Sequence, residues 1–239
     1  MIPSTDRAAV PAVRPTVLPA IFRALISAAA VTGLVIECAY GSVPVVLSYF
    51  TIWTNILVAV VFGISAQRSL RRRPPLPALW TGGVLLFILI TGLVFHLVLA
   101  NHASPFNNAD AIDRLTGAKA VSNQLLHTVT PIGALLDFVL LTAPRSLTAR
   151  HALQWLAFPG AYLAFALIRG ALLSPDVPSR YTYPFLDAAK YGYAEVAVNA
   201  VVLGIAFYAL GLALVAADRH RPAPPRENRI SSPAEGPLK

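Results

Sequence analysis

Six apolar runs, at about residues 19–40, 46–67, 76–100, 119–142, 151–172 and 194–217, are each long enough to cross hydrocarbon roughly 30 Å thick at about 1.5 Å per helical residue. Inside a bilayer no water is present to satisfy backbone N–H and C=O groups, so runs of this kind fold as helices that satisfy their own. The expected fold is therefore all-α, a polytopic six-helix transmembrane bundle. The composition fits no soluble domain of this size, with 56% of the 239 residues hydrophobic and 13% charged. Arg7 and Arg14 ahead of the first run imitate a secretory signal. That run is longer than a signal's apolar core and no small-residue cleavage site follows it, so it reads as a span.

Basic residues set the expected orientation, because cytoplasmic connections carry the excess of Lys and Arg. Arg7, Arg14 and Arg23 precede or open the first run, Arg68 and Arg71 to Arg73 fill the second connection, and Arg145 and Arg150 fill the fourth. Alternate connections hold only Arg114, Lys119, Arg180 and Lys190. Both termini are thus expected to be cytoplasmic, in a multi-pass protein of the bacterial cell (inner) membrane. Residues 1–18 form a proline-rich arm, 19–217 the membrane domain and 218–239 a disordered tail. The net charge of +8 is explained by this topology. No basic stripe with interleaved aromatics is present, which argues against nucleic acid as a partner and leaves the bilayer and a lipid. The single cysteine, Cys38, excludes an intrachain disulfide.

Polar groups are expensive inside a membrane and locate function there. Thr51 lies seventeen residues before Arg68 and His127 eighteen before Arg145, near the starts of two different runs. At about 1.5 Å per residue both sit roughly 25 Å above the inner surface, with Arg169 and Asn199 at a similar height. Glu37, His96 and Glu195 also fall in the outer halves of their runs, which predicts one polar layer near the outer face. Thr51 with Asn55, Asn123 with His127, and Glu195 with Asn199 are pairs four apart, each on one helix face. Asp137 is the outlier, about 15 Å deeper, as a structural partner for inner helix ends or part of a proton path. Pro131, four residues after His127, is expected to free the His127 carbonyl and kink the helix.

Each candidate has a plainer role. A threonine in a membrane helix ordinarily bonds the carbonyl one turn earlier. Arg169 is placed to snorkel to headgroups, with Glu37 and Glu195 as its neutralising partners. The outer connection from Ser174 to Tyr193 carries five aromatic residues, a composition that reads as an interfacial belt or, more sharply, as a lid over an outer pocket.

Three segments, SYFTIWTN at 48–55, NQLLHTVTPI at 123–132 and YPFLD at 183–187, resemble the androgen-induced family of integral-membrane threonine hydrolases. The resemblance covers roughly half of the chain and implies a six-span enzyme that cleaves fatty-acid esters of hydroxy fatty acids. It implies Thr51 as nucleophile and His127 as base, with Asn123 and Thr128 completing the histidine pattern and Asp187 in place of the eukaryotic Glu. The stretches around Glu37 and Asn55 depart from the eukaryotic pattern, which bears on the substrate.

The expectation is a threonine-type carboxylic ester hydrolase acting near the outer leaflet, with no cofactor and no metal. A secondary alcohol needs a base to attack an ester, and the imidazole supplies one. Asn55 and Asn123 are the oxyanion candidates, Arg169 is the candidate for a substrate carboxylate, and Glu195 and Asn199 complete the substrate-binding candidates. Three other classes compete: a b-type haem on His96 and His127, a proton-coupled transporter using Glu37, Asp137, Arg169 and Glu195, and a zinc hydrolase on Glu37, His96, His127 and Glu195. Neither the physiological ester nor the choice between hydrolysis and acyl transfer is readable from the residues.

Overall fold

A computed structural model of the chain describes residues 17–177 and 179–222. The proline-rich arm lies almost wholly outside the described residues, as does the tail beyond residue 222. Among the described residues every regular element is a helix: α1 Val17–Tyr40, α2 Val43–Val46, α3 Phe50–Leu70, α4 Ala78–Val94, α5 Ala109–Asp113, α6 Gly117–Gln124, α7 Thr130–Leu140, α8 Ala149–Trp155, α9 Ala157–Leu172 and α10 Ala188–His220. Two single-turn π segments interrupt this order, Phe95–Leu99 at the end of α4 and Leu125–Val129 between α6 and α7. A 3₁₀ turn, Pro184–Leu186, precedes α10.

Among the described residues five helical stretches are long and apolar enough to cross a membrane: Val17–Tyr40, Phe50–Leu70, Ala78–Leu99, Ala149–Leu172 and Ala188–His220. The chain is a multi-pass membrane protein on that ground. The remaining run, Gly117–Leu140, is helical from end to end through its π turn but more polar, since it carries Lys119, Ser122, Asn123, Gln124 and Asp137. α4 is the central helix, with 67% of its apolar window buried against 17–39% in the other four. α3, α7 and the π turn Leu125–Val129 pack against it, as do α8 and α10, while α1 packs on α3, α6 and α7.

The second apolar run does not begin as one helix. Ser48 Oγ closes a turn on the Val45 carbonyl at 2.6 Å, and α3 restarts at Phe50. Thr51 is thereby placed in the first turn of α3. The last helix runs further than its apolar stretch. It continues through Asp218 to His220, and Asp218 is fully buried, accepting from the Ser146 and Leu147 N–H groups at 2.7 Å each and pairing with Arg221. The boundary placed at residue 218 therefore falls inside a packed clamp on the α7–α8 connection.

Asp137 lies at the same end of the bundle. Arg23 Nε donates to Asp137 Oδ1 at 2.7 Å and its Nη1 to Ser69 Oγ at 2.9 Å, while Thr142 Oγ1 donates to Asp137 Oδ2 at 3.0 Å. One guanidinium thus ties α1, α3 and α7 together, which makes Asp137 the structural partner and Arg23 more than a topological charge. Both side chains are largely buried, at 15% and 9% exposure. Asp137→Asn is expected to lower stability by about 2 kcal/mol, the scale of a hydrogen bond to a charged group. Thermal unfolding in detergent micelles checks this, with a lowered midpoint as the expected result.

Candidate active site

Three elements converge near the end of the bundle opposite the Arg23–Asp137 pair: the first turn of α3, the π turn Leu125–Val129 and the connection leading into Pro184–Leu186. Thr51 Oγ1 lies 3.2 Å from His127 Nε2. The other ring nitrogen, Nδ1, lies 3.0 Å from the carbonyl oxygen of Asn123. A carbonyl only accepts, so Nδ1 carries the proton and Nε2 turns its lone pair toward the threonine hydroxyl. Phe95 stacks on the imidazole at 4.1 Å and 23°, fixing the ring plane.

The π turn explains how this helix is held. The Thr130 N–H reaches back to Leu125, and Pro131 has no N–H to give Leu126. The Leu126 carbonyl is left without either main-chain donor, and a side chain takes their place: Asn55 Nδ2 at 3.2 Å. The carbonyl this side chain occupies is Leu126's, not the His127 carbonyl expected from an α count, because a π turn counts five. Two glycines let neighbouring helices press on this turn. A Cβ on Gly33 of α1 would meet Leu126 Cδ2 at 2.5 Å, and one on Gly92 of α4 would sit 3.0 Å from Pro131 and 3.2 Å from the His127 carbonyl.

Asn55 is fully occupied in this arrangement. Its Nδ2 donates to the Thr51 carbonyl at 2.9 Å as well as to Leu126, and its Oδ1 accepts from Thr130 Oγ1 at 2.8 Å. An amide with both N–H groups committed has none for an oxyanion. Asn55 straps the threonine helix to the histidine helix instead, and Asn123 acts on the imidazole through its carbonyl.

The remaining candidates stand apart from the pair. Arg169 Nη1 donates to the carbonyls of Ser179 and Arg180, at 2.9 Å each, which pins the outer connection and uses the side chain structurally. Glu195 is exposed on α10, and Asn199 Nδ2 holds the Phe185 carbonyl at 3.2 Å. Glu37 pairs with Lys119 and accepts from Ser122 Oγ at 2.6 Å, with neither Arg169 nor Glu195 among its partners. His96 Nε2 lies 3.1 Å from Thr128 Oγ1, whereas both nitrogens of His127 are engaged by Thr51 and Asn123. The polar layer read from depth is thus several separate clusters.

Tyr183 is the residue whose place depth counting missed. The proline after it favours extended backbone, and φ −133° and ψ 142° at Tyr183 turn the chain back into the bundle. Its hydroxyl lies 3.5 Å from Thr51 Oγ1 and accepts from the Thr51 N–H at 3.4 Å. That N–H is one of the first-turn donors of α3 that no helical carbonyl reaches. Tyr183 belongs to the connection outside the long helices, where burial pushes its phenol up to about 12 and keeps it protonated. Tyr162 Oη, on α9, donates to the Ser48 carbonyl at 2.9 Å and meets Thr182 Oγ1 at 2.9 Å, holding the connection against the turn before α3.

Two cavities meet at this site. One, of about 170 Å³, is almost wholly apolar and reaches from Thr51 between α4, α9 and α10 to Leu156 and Phe207. The other, of about 520 Å³, is lined by Glu37, Ser42, Asn108, Lys119 and Asn123 and lies toward the outer connections. Thr51, Phe95, Leu99, His127 and Tyr183 line both. A comparison with family models, curated proteins and solved structures finds no match for this chain.

Proposed function

We propose that the chain is an intramembrane lipid-ester hydrolase with Thr51 as nucleophile and His127 as general base and acid, a bacterial-type relative of the androgen-induced threonine hydrolases. The observation that carries this reading is the Asn123 carbonyl, His127 imidazole and Thr51 hydroxyl in one hydrogen-bonded line, set where an apolar cavity meets a polar one. An ester of a fatty acid has that division, with an apolar acyl chain on one side of its carbonyl and an alcohol on the other. In this reading Gly117–Leu140 is the sixth span, both termini are cytoplasmic and the protein resides in the bacterial inner membrane with the polar cavity toward the outer leaflet.

The chemistry follows from the geometry. As Thr51 Oγ1 attacks the ester carbonyl carbon, its proton passes to His127 Nε2, and the Asn123 carbonyl steadies the imidazolium through Nδ1–H. The oxyanion is received by the Tyr183 hydroxyl, whose oxygen accepts from the Thr51 N–H and whose proton is left to offer, with the Thr51 N–H as a second donor once it turns from the Tyr183 oxygen to the oxyanion. Collapse breaks the carbon–oxygen bond of the alcohol, which leaves with the proton from Nε2. Water then attacks the acyl-threonine, gives one proton to Nε2, and the acid departs as that proton returns to Oγ1.

A fluorophosphonate probe tests the assignment in purified membranes. The wild type is expected to be labelled, with labelling lost in Thr51→Ala and in His127→Ala while the protein remains in the membrane. Labelling of both variants at the wild-type level would overturn it.

A further inference from the structure

Two glycines on the lipid-facing helices have no conformational reason to be there. Gly160 of α9 and Gly204 of α10 lie inside helices, where glycine is the least favourable ordinary residue after proline. Neither has a positive φ, and nothing lies within 4 Å of the position a Cβ would take on either, so no close helix approach requires them. Their shared property is that both line the apolar cavity below Thr51. Gly160 is exposed at the surface as well, so at this point the cavity wall is also the outside of the protein. The two missing side chains leave open space in the cavity wall, on α9 and on α10.

The surface around this opening is the apolar one. Leu153 on α8, Phe165 and Ile168 on α9 and Val201, Val202 and Ile205 on α10 are all exposed large hydrophobic residues. The polar cavity, by contrast, is bordered by Glu37, Lys119 and Asn108. A long acyl chain passing through that second route would bring its methylenes through water, at a cost that grows with every carbon. Through the first it remains among apolar groups throughout.

We infer that the gap at Gly160 and Gly204 is a lateral portal through which a long acyl chain slides from the bilayer into the apolar cavity, so that the site selects long-chain substrates taken directly from the membrane. This rests on the hydrolase reading for its catalytic consequence, while the portal itself is a property of the cavity.

The test has two arms. In the first, Gly160→Phe and Gly204→Phe are assayed in proteoliposomes on a palmitoyl and a butyryl ester of the same alcohol. Each replacement favours the helix over glycine and sets a ring in the gap. The ratio of palmitoyl to butyryl kcat/KM is expected to fall at least about tenfold in each, since each lost step of 1.4 kcal/mol is tenfold. Val201→Phe, exposed on α10 and outside both cavity linings, is expected to keep the wild-type ratio. An unchanged ratio in both glycine variants overturns the portal. Loss of Thr51 dependence for both esters, with the ratio still falling, overturns the hydrolase assignment and leaves the portal standing.

The second arm needs no turnover. With Cys38, the single native cysteine, replaced by Ala, Gly160→Cys is alkylated by a lipophilic maleimide with and without excess palmitic acid. Palmitic acid is expected to slow alkylation at Gly160→Cys and leave Val201→Cys unaffected. Equal rates with and without the fatty acid at Gly160→Cys overturn the portal whatever the protein hydrolyses.

Discussion

Under the proposed hydrolase reading, replacing His127 by Ala is expected to lower kcat/KM for ester hydrolysis by about 10³-fold, within the range of 10²–10⁴ that positioned acid–base groups supply. The imidazole is the one base within hydrogen-bond reach of Thr51 Oγ1, at 3.2 Å among the described residues. A secondary hydroxyl near neutral pH attacks an ester slowly unless its proton leaves during the attack. The same nitrogen must return that proton to the leaving alcohol, so the variant loses both transfers. Thr51→Ser separates this account from a purely structural one, because it keeps the nucleophilic oxygen and removes only a methyl group. Thr51→Ser is expected to retain measurable turnover, whereas Thr51→Ala falls to the residual rate of His127→Ala or below, since residues acting as one unit do not add. Initial rates on a long-chain ester in proteoliposomes, normalised to folded protein, make the measurement. A His127→Ala rate within threefold of wild type would contradict the base assignment.

The sequence makes some of this arrangement visible and hides the rest for identifiable reasons. Apolar length fixes where helices run, and counting residues from a basic connection fixes height, so Thr51 and His127 were legible as neighbours in depth. Height says nothing about direction around a helix axis. Glu195 and Arg169 share that height, yet one is exposed on α10 and the other spends its guanidinium on the carbonyls of Ser179 and Arg180. Four-residue spacing correctly put Asn55 on the face of Thr51, but the partner that consumes its second N–H exists only because a π turn strips Leu126 of its donors. Pro131 announced a missing donor, but counting four residues back assigned it to the His127 carbonyl, where the π turn assigns it to Leu126. Connections carry no periodicity at all, so Tyr183 looked like one member of an aromatic belt. Basic charge at the end of the bundle opposite the site was read as topology, so Asp137 was legible as a structural partner but not as the partner of Arg23, and the Asp218–Arg221 pair was hidden.

Tyr183→Phe is expected to lower kcat about 10²-fold with little change in KM. The substitution removes one oxygen and keeps the ring, which stacks on Phe185 at 5.3 Å and 5° and meets Tyr49 edge-on at 5.8 Å. Packing of the outer connection is therefore preserved, and the change acts on the hydroxyl beside Thr51 Oγ1. In the resting protein that hydroxyl accepts from the Thr51 N–H, so its own proton is free to be offered elsewhere. The group able to use it is the oxyanion that forms on attack, which gathers far more charge than the substrate carbonyl it came from. An interaction made mainly in the transition state lowers kcat when removed and leaves ground-state binding nearly alone. Loss of one such donor elsewhere costs about 10²–10³-fold, and the surviving Thr51 N–H places the expectation at the lower end. A phenol pushed up to about 12 holds its proton well above neutral pH, so the effect should be the same at pH values on either side of neutrality. If Tyr183 served only to shape the cavity, Tyr183→Phe would retain kcat within twofold of wild type, and the oxyanion assignment would fall while Thr51 and His127 stood.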